Sequence, residues 1–168
     1  MSQRLLRCAY GACVAVALTA CRPEPEQTRQ ADSGGAPEPA LRKLIVNRAP
    51  GGDAAKVIKS ASAEATAAHR RLLVYIGAVW CEPCQRFHEA ARRGELDQNF
   101  PDVTLLEFDL DADGSRLTPA GYQPPYIPYF GVPAEDGRAT SQGMSGSIKG
   151  SGALENLVPR LNELLGRK

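Results

Sequence analysis

The sequence predicts an α/β protein with helices on both faces of a central mixed β-sheet. Short apolar runs typical of buried strands alternate along the chain with longer segments of helical periodicity, which is the pattern of β-α-β units. Two further strand-like runs near the carboxyl end are separated only by a turn, so they form a hairpin and make the sheet mixed. The predicted order of elements is β-α-β-α-β-(short α)-β-β-α, and roughly 125 residues are enough to enclose one core.

The amino terminus has the features of a secretory signal peptide over residues 1–20. Arg4 and Arg7 give it a positive start, and the stretch from Cys8 to Ala20 is apolar and uncharged. This core is shorter than the roughly 20 apolar residues that a membrane-spanning helix needs. We therefore expect a cleaved signal and not a permanent membrane span.

The signal peptide ends in Leu18-Thr19-Ala20-Cys21, which resembles the lipobox of bacterial lipoproteins. The resemblance implies diacylglycerol on the Cys21 sulfur, cleavage before Cys21 and acylation of the new amino terminus. An ordinary signal peptide with a chance cysteine is the alternative. Acyl chains would hold the mature chain at a membrane. The implied location is the bacterial cell envelope, facing the periplasm, at the outer or the inner membrane.

Residues 21–40 comprise the lipidated cysteine and a linker rich in proline, glutamate and glycine. Such a composition cannot bury a core and is expected to stay extended and flexible. We expect this linker to hold the folded domain, residues 41–168, away from the membrane. Cleavage and lipidation leave Cys81 and Cys84 as the free thiols among the five cysteines of the chain.

The elements of the domain follow from its apolar patterns and turn signals. The predicted strands are residues 44–46, 72–76, 103–110, 129–132 and 138–143. The predicted helices are 54–70, 81–93 and 153–165, with one or two helical turns within 115–125. Asp53 is expected to cap the first helix, and Asp136-Gly137 is a strong hairpin signal. Asp109, Asp111 and Asp113 resemble the start of a calcium-binding loop, but Ala120 stands where that loop would need glutamate. We therefore interpret Asp111-Ala112-Asp113-Gly114 as a strand end and turn.

The motif Trp80-Cys81-Glu82-Pro83-Cys84 follows the buried second strand and opens the second helix. Unpaired amides and the positive dipole end at a helix start favour a thiolate. The spacing places both sulfurs on one helix face, close enough to bridge. The pattern predicts thiol–disulfide exchange, in which Cys81, nearer solvent, attacks a substrate disulfide and Cys84 resolves the mixed disulfide.

Two other interpretations of the cysteine pair remain. A static disulfide is common in secreted proteins. A zinc site normally needs a second ligand pair, so a single Cys-x-x-Cys supplies only half of its ligands. His88, four residues after Cys84 in the sequence, could add a further ligand. We expect no metal at this position.

The motif after a β-strand resembles the active site of the thioredoxin superfamily. The likeness extends to residues 126–132, Tyr-Ile-Pro-Tyr-Phe-Gly-Val, which resemble that family's cis-proline loop, and it covers roughly residues 41–168. It implies a thioredoxin-like α/β/α sandwich with Trp80 in the site and a cis Ile127–Pro128 bond beside the cysteines. The backbone of Ile127 would bind an extended substrate segment. Tyr126 and Tyr129 either flank that groove or serve as core and edge aromatics.

The chain departs from the family pattern near the cysteines. The buried aspartate found six residues before the first cysteine in reducing members is Tyr75 here, and tyrosine, with an ordinary pKa of about 10, is a poor base at neutral pH. Glu107 on the neighbouring strand would replace it if its side chain points inward. Glu82 stands where glycine is common, and a carboxylate beside Cys81 raises the pKa of that thiol if it is unscreened.

The resemblance implies an enzyme of the cell envelope that reduces protein disulfides, with no cofactor beyond its cysteine pair. It would exchange electrons with a membrane donor or acceptor. Disulfide oxidation or isomerisation is one alternative, and a non-catalytic lipid-anchored adaptor or metal carrier is another. A net charge of +1 gives no electrostatic footprint for nucleic acid.

Overall fold

The computed structural model describes residues 43–167. The predictions for the signal peptide, Cys21 and the linker lie outside these residues. The strands are β1 (Ile45–Arg48), β2 (Arg71–Gly77), β3 (Val103–Asp109), β4 (Tyr129–Pro133) and β5 (Ala139–Ser145), and the helices are α1 (Ala54–Ala67), α2 (Glu82–Arg92), α3 (Leu110–Leu117) and α4 (Ala153–Leu164). A single 3-10 turn, Thr118–Ala120, follows α3. This order of elements is the predicted one.

The five strands form one mixed sheet in the order β1-β3-β2-β4-β5. Strands β1, β3 and β2 are parallel, β4 is antiparallel to β2, and β5 is antiparallel to β4. The predicted hairpin is therefore present, and the Gly137 of its turn has the positive φ (83°) that such a turn requires. The central strand β2 leads directly into the cysteine motif.

Alternation along β2 builds a core on each face of the sheet. Leu72, Val74 and Ile76 pack in a cluster with side chains of α1 and α3, whereas Leu73 and Tyr75 pack with side chains of α2 and α4. Successive side chains of a strand point to opposite faces, so a strand that is apolar throughout is covered on both sides. The predicted α/β/α sandwich with a central mixed sheet is confirmed.

Helix α3 corrects the sequence interpretation of the aspartate-rich run. The helix begins immediately after Asp109, so the prediction of a strand end and turn over 111–114 was wrong. Asp109 caps it, because its Oδ1 accepts hydrogen bonds from first-turn N–H groups, including that of Asp111 at 3.0 Å. The carboxylate of Asp113 is buried and pairs with Arg48 at 3.1 Å and Arg116 at 3.0 Å. Carboxylates at a helix start are stabilised by the dipole.

Within residues 43–167, no helix combines the length and the apolar character that a membrane span requires.

Candidate redox site

The two cysteines form a disulfide at the start of α2, with Cα atoms 5.2 Å apart. Cys81 is the N-cap residue, and its Sγ accepts a hydrogen bond from the N–H of Cys84 at 3.3 Å. Pro83 in the first turn has no N–H to leave unpaired, which suits this position. Cys81 was expected to lie nearer solvent than Cys84; it is 4% exposed and Cys84 is 1% exposed, so both are buried in the disulfide form.

The Ile127–Pro128 peptide bond has the cis geometry implied by the family resemblance. Ile127 packs against the cluster formed by the two cysteines and Ala78. The carbonyl of Pro128 accepts a hydrogen bond from Gly146 at 2.8 Å, which joins this loop to the segment after β5. The structure thus brings residues 126–128 to the cysteine pair from a separate part of the chain.

A groove of about 550 Å³ opens beside Cys81. Trp80, Tyr126 and Ile127 line it together with the segment 145–149, which carries the exposed Ile148. Tyr126 is 72% exposed, whereas Tyr129 packs against the core on the α1 side of the sheet. Of the two tyrosines considered for the groove, the structure places only Tyr126 there.

Trp80 is held in place although its side chain is largely exposed. Its indole N–H donates a hydrogen bond to the carboxylate of Asp111 at 2.8 Å. Asp111 belongs to the first turn of α3, which the sequence prediction treated as a turn. The first turn of α3 therefore orients the Trp80 ring beside Cys81.

Glu82 is not a free charge beside Cys81. Arg86, one helical turn later, forms an ion pair with it, and both carboxylate oxygens accept the N–H of Gly150 at 3.2 Å. The hydrogen bond from Arg86 lowers the pKa of the Glu82 carboxyl, and Gly150 and Lys149 act in the same direction. The expected increase in the pKa of Cys81 required an unscreened carboxylate, which is absent here. The i,i+4 spacing of Glu82 and Arg86 was a signal available in the sequence.

Tyr75 lies on β2 in the core that packs against α2. It is 0% exposed, and its hydroxyl is the one buried side-chain polar atom among residues 43–167 without a hydrogen-bond partner. Such an unpaired buried group costs about 1–3 kcal/mol. Burial and the nearby Glu107 raise the pKa of Tyr75 far above its ordinary value, so the hydroxyl stays protonated and cannot act as a base.

Glu107 points toward the same side of the sheet as Tyr75, its register partner on β2. Its Oε1 lies 3.0 Å from Nε2 of His88, and both side chains are partly exposed. His88 is therefore paired with a carboxylate of the neighbouring strand. Within the described residues, no group of three or more His, Cys, Asp or Glu side chains is arranged to hold a metal ion.

The sheet order, the Cys-x-x-Cys disulfide at the start of α2 and the cis-proline before β4 match the arrangement that the family resemblance of the sequence implied. The arrangement suggests a thiol–disulfide oxidoreductase, because the pair sits at a helix start that favours a thiolate and beside an open groove.

Several solved structures are similar to this chain. Thioredoxin O1 from Arabidopsis thaliana in its oxidized state gives a TM-score of 0.44 at 17% identity, over 74% of this chain and 96% of that chain. Thioredoxin O2 from the same plant gives 0.43 at 19% identity, over 74% and 93%. The oxidised thioredoxin of Plasmodium falciparum gives 0.43 at 16% identity, over 70% and 97%. No protein-family model and no curated protein matches the sequence.

Proposed function

We propose that this chain is a thiol–disulfide oxidoreductase that reduces protein disulfides in the bacterial cell envelope. One observation carries the exchange chemistry. The Cys81–Cys84 disulfide caps α2 at the edge of a groove that Ile127 of the cis-proline loop also lines. A static structural disulfide does not need an adjoining groove with exposed aromatic walls.

The reaction balances as two exchange steps. The Cys81 thiolate attacks one sulfur of the substrate disulfide; that bond breaks, and the departing substrate thiolate takes a proton from water. Cys84 then loses its proton and attacks Cys81. The mixed disulfide breaks, the second substrate thiolate leaves, and two electrons have passed to the substrate. A reductant of the dithiol class, reached through a membrane electron donor, must then reduce the pair again.

The envelope location and the reducing direction have separate support. The apolar, uncharged stretch from Cys8 to Ala20 and the lipobox-like ending at Cys21 support lipid anchoring at a membrane. The reducing direction rests on the resemblance of the motif and the cis-proline loop to anchored members of the superfamily.

Disulfide donation to substrates is a second candidate, and the Tyr75 hydroxyl favours it. That hydroxyl has no hydrogen-bond partner in the disulfide form, so a partner gained in the dithiol form would destabilise the disulfide relative to the dithiol. A disulfide that is destabilised relative to its dithiol is a stronger oxidant.

Serine substitutions in the full chain test the exchange mechanism, with insulin as the disulfide substrate. Cys81→Ser should abolish reduction of insulin. Cys84→Ser should trap insulin on Cys81 as a mixed disulfide that dithiothreitol releases. Cys21→Ser, which changes the one cysteine of the mature chain outside the pair, is the matched control and should leave both properties unchanged. Full activity of Cys81→Ser would rule out the proposed function and favour a non-enzymatic adaptor.

A further inference from the structure

The hydroxyl of Tyr75 points toward the end of α2 that carries the disulfide. Its ring packs against both Phe87 and His88 of α2, with centroid distances of 5.7 and 5.2 Å. The hydroxyl extends from there along β2 toward Gly77, since a Cβ atom added to Gly77 would lie 2.6 Å from the hydroxyl oxygen. Glycine at this position is what leaves room for it.

The turn of α2 next to that hydroxyl carries Cys84. Strands β2 and β3 are parallel, so the helix that connects them runs back along β2 from Cys81. Moving from the ring of Tyr75 toward Gly77 therefore corresponds to moving from Phe87 and His88 back toward the start of the helix. One turn in that direction from His88 is Cys84, whose side chain is buried on the same side of α2 as Phe87.

The surroundings leave few partners for the hydroxyl. Phe130 of β4 also packs against the Tyr75 ring, at a centroid distance of 5.0 Å, and its side chain has no hydrogen-bond acceptor. Glu107 of β3 and His88 of α2 are the ionisable groups beside it; they contact each other, and neither forms a hydrogen bond with the hydroxyl in the disulfide form. In the disulfide form, the Cys84 sulfur is covalently bound to Cys81 and makes no hydrogen bond with Tyr75.

We propose that Tyr75 donates a hydrogen bond to the Cys84 sulfur when the disulfide is reduced. A thiolate is a much stronger acceptor than a disulfide sulfur, and bonds to charged groups are the stronger ones. The hydroxyl remains protonated, so its role is that of a donor, in contrast to the base that a carboxylate would provide at this position. The hydroxyl is thus unpaired in one redox state and paired in the other.

The consequence rests on the proposed function and concerns its resolving step. In the mixed disulfide, Cys84 must be a thiolate when it attacks Cys81, and the hydrogen bond from Tyr75 stabilises that thiolate. Because the dithiol gains a bond that the disulfide lacks, Tyr75 shifts the equilibrium of the pair toward the dithiol. The protein is then more oxidising than it would be without the hydroxyl.

Tyr75→Phe removes the hydroxyl and keeps the ring, and Tyr122→Phe is the matched control. Tyr122 is also buried, but it packs with the α1 and α3 core and donates to the carbonyl of Gly137 at 3.4 Å. The full chain is equilibrated in glutathione buffers, and mass spectrometry of alkylated peptides reads the redox states of Cys81 and Cys84. We expect Tyr75→Phe to favour the disulfide about tenfold more than the wild type, a potential lower by about 30 mV. Tyr122→Phe should stay within twofold of the wild type.

Thermal unfolding of each redox form gives a second, independent measurement. Tyr75→Phe should raise the stability of the disulfide form relative to the dithiol form, whereas Tyr122→Phe should change both forms alike. An equilibrium within twofold of the wild type, or a shift toward the dithiol, would overturn the role of Tyr75 while the proposed function stands. If the wild-type pair does not exchange with glutathione at all, the proposed function fails, and this inference fails with it.

Discussion

At the scale of single residues, the charge next to the nucleophile is the feature that most affects reactivity. A lone carboxylate at position 82 would oppose the helix dipole and disfavour the Cys81 thiolate. The structure pairs Glu82 with Arg86 and with the N–H of Gly150, so that its charge is largely compensated. The contact with Gly150 connects the cysteine motif to the residue directly after the groove segment 145–149.

Arg86→Gln therefore should slow the reaction of Cys81. Without Arg86, the Glu82 charge acts on the reduced pair, the pKa of the Cys81 thiol increases, and alkylation by iodoacetamide at pH 7 should slow roughly two- to threefold. Glu82→Gln removes the charge and keeps an oxygen that can accept from Gly150, so its rate should equal or exceed that of the wild type. Arg92→Gln, on the same helix but away from Glu82, is the control. Equal rates for Arg86→Gln and the wild type would show that Arg86 does not screen this site.

At the scale of elements, α3 shows where local sequence and tertiary structure disagree. Aspartates and glycine have low helix propensity, so the run 109–114 favours a turn when it is judged locally. Arg48, distant in sequence, and Arg116, one turn later in α3, neutralise the buried Asp113, and Asp109 supplies the cap. Of these two ion pairs, only the one between Asp113 and Arg116 could be predicted from local sequence, because its residues have i,i+3 spacing. Helix α1 was predicted well because its Asp53 cap and apolar stripe are local signals.

The cap of α3 predicts a specific difference between two substitutions. Asp109→Ala should lower the free energy of unfolding by about 1 kcal/mol, because the first N–H groups of α3 lose their acceptor. Asp109→Asn should stay close to the wild type, since asparagine is an equally good cap. Urea unfolding of the disulfide form measures both. An Asp109→Ala protein as stable as Asp109→Asn would mean that the cap contributes nothing.

At the scale of the whole molecule, the topology assembles the site from segments far apart in sequence. The order of elements and the cysteine pair were predictable, because apolar periodicity and motif spacing are properties of the sequence itself. The cis geometry before Pro128 was expected from the family resemblance alone. The Trp80–Asp111, Glu82–Gly150 and His88–Glu107 contacts depend on the folded arrangement, and no local pattern reveals them.

The proposed anchor also concerns the molecule as a whole. Expressed in a bacterium, the full chain should lose residues 1–20 and carry diacylglycerol on Cys21, so that it separates with the detergent phase. Cys21→Ser should prevent lipidation and leave the protein out of that phase, whereas Cys13→Ser should behave as the wild type. Mass spectrometry of the amino-terminal peptide provides the check. A mature chain that starts elsewhere, or an unmodified Cys21, would contradict the lipoprotein proposal.

The measurement that most directly tests the central claim is a redox titration of the full chain in thiol/disulfide buffers, read at Cys81 and Cys84. We predict a reversible two-electron transition between dithiol and disulfide. A midpoint near that of thioredoxin, about −270 mV, would support the reducing direction, and a much more oxidising midpoint would support disulfide donation. A pair that stays oxidised or stays reduced across the whole range would contradict thiol–disulfide exchange as the function of this site.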